Sequence, residues 1–208
     1  MIIPETGCFT DKIKTFRSDK IKHIGFNLLW VGKFDFRKQL EIALRTVAAL
    51  KHRPDIKLII CGTGTNQQVS YYKNLSGDLG IDQQVEWKGS LTNQEVLIEM
   101  TNADLFFFTS VSEDTSTVVL EAVSCNLPVL CFDTCGMGYV INDKVGIKIS
   151  LSNPRQSVTD FAEKIDYLYI HRDYLQSLSE GCKERQQKLS WENKALQVFS
   201  LYNRIIQK

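Results

Sequence analysis

Apolar residues along the chain follow two rhythms that alternate. Short runs rich in β-branched and aromatic side chains occur at His23–Val31, Ile56–Cys61, Val85–Trp87, Asp104–Phe108, Pro128–Phe132 and Gly146–Ile149. They have the length of strands buried in a sheet. Each of the first five is followed by Gly, Ser, Thr, Asn or Asp, and then by a stretch with helical spacing. Between the first two, Leu40, Ala43, Leu44, Val47, Ala48 and Leu50 mark one face of a helix. Further on, Leu91 to Glu95 reads as a helix start, with Thr92 as N-cap and Glu95 answering it three residues later.

Alternation of this kind predicts an α/β domain, a parallel sheet of about six strands with helices on both faces. From Asn153 the pattern is helical only, over Arg155–Ile170, Arg172–Lys188 and Trp191–Ile206. The opening stretch, 1–22, is polar with few periodic apolar positions, and reads as a linker entering from something upstream. The expected organisation is therefore a linker (1–22), one doubly wound domain (23–190) and a final helix (191–208).

Composition narrows the function classes. The chain has 208 residues, 43% hydrophobic and 24% charged, and 25 Lys plus Arg against 24 Asp plus Glu give a net charge of +1. No Lys/Arg run is interleaved with aromatics, so a nucleic-acid partner has no electrostatic footprint. The first ten residues lack a signal-peptide pattern, and no apolar stretch approaches the roughly 20 residues of a membrane span. A cytoplasmic chain is expected, touching a membrane only through parts outside it. The six cysteines form no C-x-x-C pair and none stands beside a His at zinc-ligand spacing. Reduced structural thiols follow, with no metal site.

In such sheets ligands bind beyond the carboxyl ends of the strands, so the loops there are the candidates. The first strand runs into Gly32 and then Lys33, Arg37 and Lys38, a cation cluster near a helix start that suits a phosphate. The second runs into Gly62-Thr63-Gly64, where two glycines allow close backbone approach. It is not G-x-G-x-x-G, so a nicotinamide dinucleotide is poorly supported. After the fourth, Glu113 and Glu121 flank a hydroxyl-rich turn, Thr115-Ser116-Thr117, where the next helix begins. Its free amides suit an anion. The fifth ends in a small-residue turn around Gly136.

Taken in order, these landmarks resemble the donor-binding, C-terminal domain of the retaining glycosyltransferases with two facing Rossmann-like domains (the GT-B fold, family 4 or "group 1" type). The resemblance rests on Val31-Gly32-Lys33 with Lys38, Cys61-Gly62-Thr63-Gly64, Val85 to Gly89 and Ala103-Asp104. It continues through Glu113 to Glu121 with Ala122, Leu127-Pro128-Val129 and Ser190-Trp191-Glu192.

It implies a Rossmann-like fold and a set of roles. Lys33 and Lys38 would neutralise the donor diphosphate, Glu121 would bind the nucleotide ribose, and Glu113 would face the transferred sugar. Thr115, Ser116, Thr117 and Gly136 would contact sugar hydroxyls and phosphate, and Trp87, Lys88 and Gly89 would lie beside the base. Four positions depart from the family's pattern: Lys33 replaces an Arg, and Asp114, Gln39 and Cys135 replace glycines.

The implied activity is transfer of a hexosyl unit from a UDP- or GDP-sugar to a glycan or lipid-linked acceptor, without a metal cofactor. The acceptor half would be a missing N-terminal domain, leaving the isolated domain inactive. The full protein would be cytoplasmic or membrane-peripheral and serve polysaccharide biosynthesis. The alternatives are a non-transferring nucleotide-sugar enzyme such as an epimerase, and a non-catalytic nucleotide-sugar-binding domain.

Overall fold

The computed structural model describes residues 7–8, 25–113 and 116–206. The β-rich runs form six parallel strands: β1 (Phe26–Val31), β2 (Ile56–Cys61), β3 (Val85–Gly89), β4 (Leu105–Phe108), β5 (Val129–Phe132) and β6 (Gly146–Ile149). Between and after them come α1 (Leu40–Ala49), α2 (Asn66–Asp78), α3 (Asn93–Asn102), α4 (Thr117–Ser124) and the single-turn α5 (Met137–Val140). The tail is α6 (Pro154–Ile170), α7 (Arg172–Lys188) and α8 (Trp191–Ile206). The α/β, Rossmann-like fold read from the sequence is the one observed.

Side chains alternate across the sheet with period two. Leu28, Trp30, Leu58, Ile60, Leu105, Phe107 and Leu130 face one buried layer with Leu40, Leu44 and Val47 of α1 and Phe161 and Ile165 of α6. Leu29, Ile59, Phe106, Phe108, Val129 and Cys131 face the other, with Val96 and Met100 of α3 and Val119, Leu120 and Val123 of α4. Both faces are covered, which is why the strands read as continuous apolar runs rather than alternating ones. Burial pushes the thiols of Cys61 and Cys131 up to about 12, and all six cysteines are free.

Strand order is β3-β2-β1-β4-β5-β6. The chain therefore builds outward from β1 in one direction and, after crossing over, from β4 in the other. The loops leaving β1 and β4 run to opposite faces, and between them a crevice opens at the carboxyl edge.

Boundaries shift in detail. The first strand starts at Phe26, and His23 lies outside the described residues; β3 runs two residues past Trp87, to Gly89. Within the stretch read as linker, Gly7 and Cys8 are described. Cys8 is buried, and its amide donates to the Leu189 carbonyl at 2.9 Å.

Candidate functional site

Three loops at the carboxyl edge are stitched together in series. The Gly32 amide donates to Cys61 O (3.0 Å), the Phe34 amide to Thr63 O (3.0 Å) and the Gly62 amide to Gly89 O (2.7 Å). A Cβ on Gly62 would sit 1.8 Å from the Gly32 carbonyl oxygen, so only glycine lets these two loops meet. A Cβ on Gly64 would fall 2.5 Å from Gln68 Oε1 and 2.9 Å from Phe34 Cβ. The close approach that G-x-G allows is thus made here by the neighbouring loop.

The cation cluster is held by a cap. Asp35 accepts from the amides of Arg37 (2.9 Å) and Lys38 (3.3 Å), winding Phe36–Lys38 into a 3-10 turn. Lys33 is exposed and has no ion-pair partner among the described residues. Lys38 turns inward, its stem beside Gly32 and its ammonium 5.5 Å from the centre of the Phe108 ring.

The loops after β1 and β4 meet across the crevice. Trp30 Nε1 donates to Thr109 Oγ1 (2.9 Å), which donates to the Lys38 carbonyl (2.7 Å). One residue pair further, the Val111 amide donates to Arg37 O (2.9 Å). These bonds bring the Lys38 ammonium onto Glu113 Oε1, an ion pair whose side chains are 15% and 18% exposed. Two residues 75 positions apart in sequence are joined at the topological switch point. The sequence assigns both to one site; Trp30 and Thr109, which fix the geometry, carry no signal that would single them out.

Past Glu113, Asp114 and Thr115 lie outside the described residues. Ser116 is buried and stands at the N-cap of α4 without a side-chain capping bond, and Thr117 is the first helical residue. Glu121 follows just over one turn into α4, half-buried. Burial raises its carboxyl above the usual range, opposed by a hydrogen bond from Asn93 Nδ2 to Oε1 at 2.8 Å. Asn93, the first residue of α3, did not emerge from the sequence as a site residue.

The remaining candidates lie farther out. Trp87 packs edge-on against Phe34, ring centres 6.1 Å apart. On the opposite face of β3, Lys88 is engaged by Glu86 (2.8 Å) and Glu99 (3.2 Å). Gly89 turns the chain at φ 72° with nothing near its missing side chain. Gly136 precedes α5, one strand beyond the switch point, in a loop where Lys148 bridges Asp133 (3.0 Å) and the Gly138 carbonyl (2.9 Å).

Two of the four departures from the family pattern share a backbone signature. Gln39 and Cys135 have φ of 50° and 53°, the left-handed region that favours glycine. Glycine-like turns are kept here without glycine. Among the described residues no three His, Cys, Asp or Glu side chains converge where a metal ion would sit, and no helix is long and apolar enough to cross a membrane.

A crevice at the switch point of a Rossmann-like sheet, here with cations on one lip and carboxylates on the other, is where folds of this class bind their ligands. A family model described as "Glycosyl transferases group 1" matches residues 11–185. The chain belongs to that family. An uncharacterised glycosyltransferase of Methanocaldococcus jannaschii is 26% identical over 193 residues, covering 92% of this chain and 48% of that protein. A D-inositol 3-phosphate glycosyltransferase of Corynebacterium aurimucosum is 26% identical over 179 residues, 83% of this chain and 42% of the relative. The pneumococcal O-GlcNAc transferase GtfA, solved in complex with UDP and GlcNAc, shares the fold with a TM-score of 0.73 at 16% identity. That match covers 99% of this chain and 39% of the other. The chain spans about half the length, or less, of these curated relatives.

Proposed function

We propose that this chain is the donor-binding half of a retaining hexosyltransferase that uses a UDP- or GDP-sugar. The observation that carries the reading is the convergence of Lys38 and Glu113 at the switch point. As placed, the two neutralise each other. A diphosphate brought to Lys38 competes with Glu113 for the ammonium and frees the carboxylate for the sugar hydroxyls. Donor cleavage builds negative charge on the leaving diphosphate, and prepositioned cations stabilise it most where water is excluded. Lys38 is held for that role, and exposed Lys33 adds a second charge from the mouth of the crevice. Two lysines supply the neutralisation that a metal would otherwise give, so donor binding requires no divalent cation. Ribose hydroxyls donate to Glu121, and the α4 amides at Ser116 and Thr117 point toward phosphate or sugar oxygens.

The acceptor, a glycan or a lipid-linked saccharide, is held by a second domain facing this crevice. Two observations support that half: the relatives' greater length and the outer face of α8. There Leu196, Phe199, Tyr202 and Ile206 recur at helical spacing and are exposed. This apolar stripe is where the other half packs back. The test is nucleotide release from UDP-glucose, UDP-N-acetylglucosamine and GDP-mannose. The isolated chain should bind nucleotide and release none from its sugar, while the two-domain protein turns over with acceptor. Turnover by the isolated chain would overturn the division of labour.

A further inference from the structure

Among the described residues the Glu121 carboxylate accepts a side-chain hydrogen bond from a different helix. Asn93 Nδ2 reaches Oε1 at 2.8 Å, across 28 residues of sequence. Asn93 is well placed to hold still. It follows the Gly89 turn, and its helix start is locked by a reciprocal cap in which the Thr92 amide donates to Glu95 Oε2 (2.8 Å) and the Glu95 amide to Thr92 Oγ1 (3.3 Å). Because Thr92 does the capping, the Asn93 side chain is left to point away from its own helix.

We infer that Asn93 is a positioning residue for Glu121, fixing one carboxylate oxygen so that the other is presented to the nucleotide ribose. The ribose part rests on the function proposed above; the Asn93–Glu121 link does not.

Chemistry favours a neutral amide in this place. A lysine would cancel the carboxylate's charge, and a second acid would repel it. An amide donates one hydrogen bond and leaves the charge available. Burial disfavours ionised Glu121, and the Asn93 bond is what opposes burial. Charged side chains on the helices packed against α4 are engaged elsewhere or exposed. On α3, Glu95 serves the cap and Glu99 holds Lys88. On α7, Arg185 donates to the carbonyls of Val140 and Tyr139, Glu184 pairs with Lys188 and Lys144, and Arg172 lies near Asp104. Glu180 accepts from Gln176, and Asp173 and Lys183 are exposed. In the loop before α4, Glu113 is paired with Lys38.

A protonated Glu121 cannot accept from two ribose hydroxyls, so affinity falls as pH drops through its raised value. Without Asn93 that value rises further, and the fall begins at higher pH.

The experiment titrates UDP and GDP calorimetrically into the full 208-residue chain, wild type and Asn93→Ala, Asn93→Asp and Glu121→Gln, between pH 5.5 and 8.5. The Glu121 carboxyl carbon is followed by NMR over the same range, with no nucleotide present. Asn93→Ala should weaken nucleotide by about tenfold at the acid end and about threefold at the alkaline end, with the Glu121 midpoint moved up. Asn93→Asp should move it further, although an acid in a first helical turn favours folding. In the Glu121→Gln background, Asn93→Ala should add nothing. An unmoved Glu121 midpoint in both Asn93 variants would overturn the inference, as would an Asn93→Ala loss that persists in Glu121→Gln. If the midpoint moves but neither nucleotide binds any variant or the wild type, the positioning link stands and the nucleotide reading falls.

Discussion

The two ends of the sheet use charge differently. At the amino end, Arg172 lies over the rings of Phe26 (4.4 Å) and Tyr169 (5.1 Å) and donates to the carbonyls of Tyr169 and Gly25. Arg53 stacks on Tyr169 (4.9 Å) and bonds Asp166 (2.9 Å), while the Tyr169 hydroxyl donates to Asp55 (2.7 Å). Each cation there is fastened to rings, carbonyls and fixed acids of the fold. At the carboxyl end, among the described residues, Lys38 meets the Glu113 carboxylate, Lys33 meets solvent, and Glu121 is held by the neutral amide of Asn93. Charge at the amino end ties α6 and α7 to the strands. At the switch point itself, Lys38 and Glu121 are held by groups that a ligand can displace or extend. In the function proposed above, the same residue types serve stability at one edge and binding at the other.

Removing one cation from the amino end separates the two roles. Arg172→Ala deletes two ring contacts and two hydrogen bonds from a charged donor, a loss of about 2 kcal/mol. The melting temperature should drop by about 4–8 °C, and affinity for nucleotide should stay within twofold of wild type. A nucleotide affinity that fell with the melting temperature would show that the two ends are not separable.

A smaller effect sharpens the view of the carboxyl-end loops. Cys135 stands exposed in left-handed backbone with its thiol 3.4 Å from Thr134 Oγ1. Left-handed backbone costs a side-chain-bearing residue about 1–2 kcal/mol, partly offset by the greater chain entropy that glycine loses on folding. Cys135→Gly should stabilise the protein by about 0.5–1 kcal/mol, read as a higher urea midpoint at constant slope. A lower midpoint would mean that the thiol makes contacts worth more than the strain.

Much of this fold is legible in the sequence because both faces of the sheet are buried. Ile56–Cys61 and Leu105–Phe108 are apolar at nearly every position, and that signal survives without neighbours. Helix starts are equally local: Thr92 and Glu95 lie within one turn and form the bonds their spacing predicts. The site was legible as a set of loops, since strand order places all carboxyl ends on one edge. What joins those loops was not. Trp30, Thr109 and Lys38 form one hydrogen-bonded chain, and Asn93 reaches Glu121, through contacts with no periodicity to betray them. Gly62 shows a subtler limit. Its lack of a side chain marks a close approach, and the neighbour it admits is the carbonyl of Gly32.

In the proposed function, Lys38, shared between Glu113 and an incoming diphosphate, is the seat of the donor. One calorimetric titration tests it directly, with UDP and GDP into wild type, Lys38→Ala and Glu113→Gln, each in EDTA. Wild type should bind one of the two nucleotides without metal. Lys38→Ala should weaken that binding about ten- to hundredfold. Glu113→Gln should tighten it about threefold, because the ammonium no longer has a competing carboxylate. Wild-type affinity in Lys38→Ala, or binding that disappears in EDTA, would contradict the account.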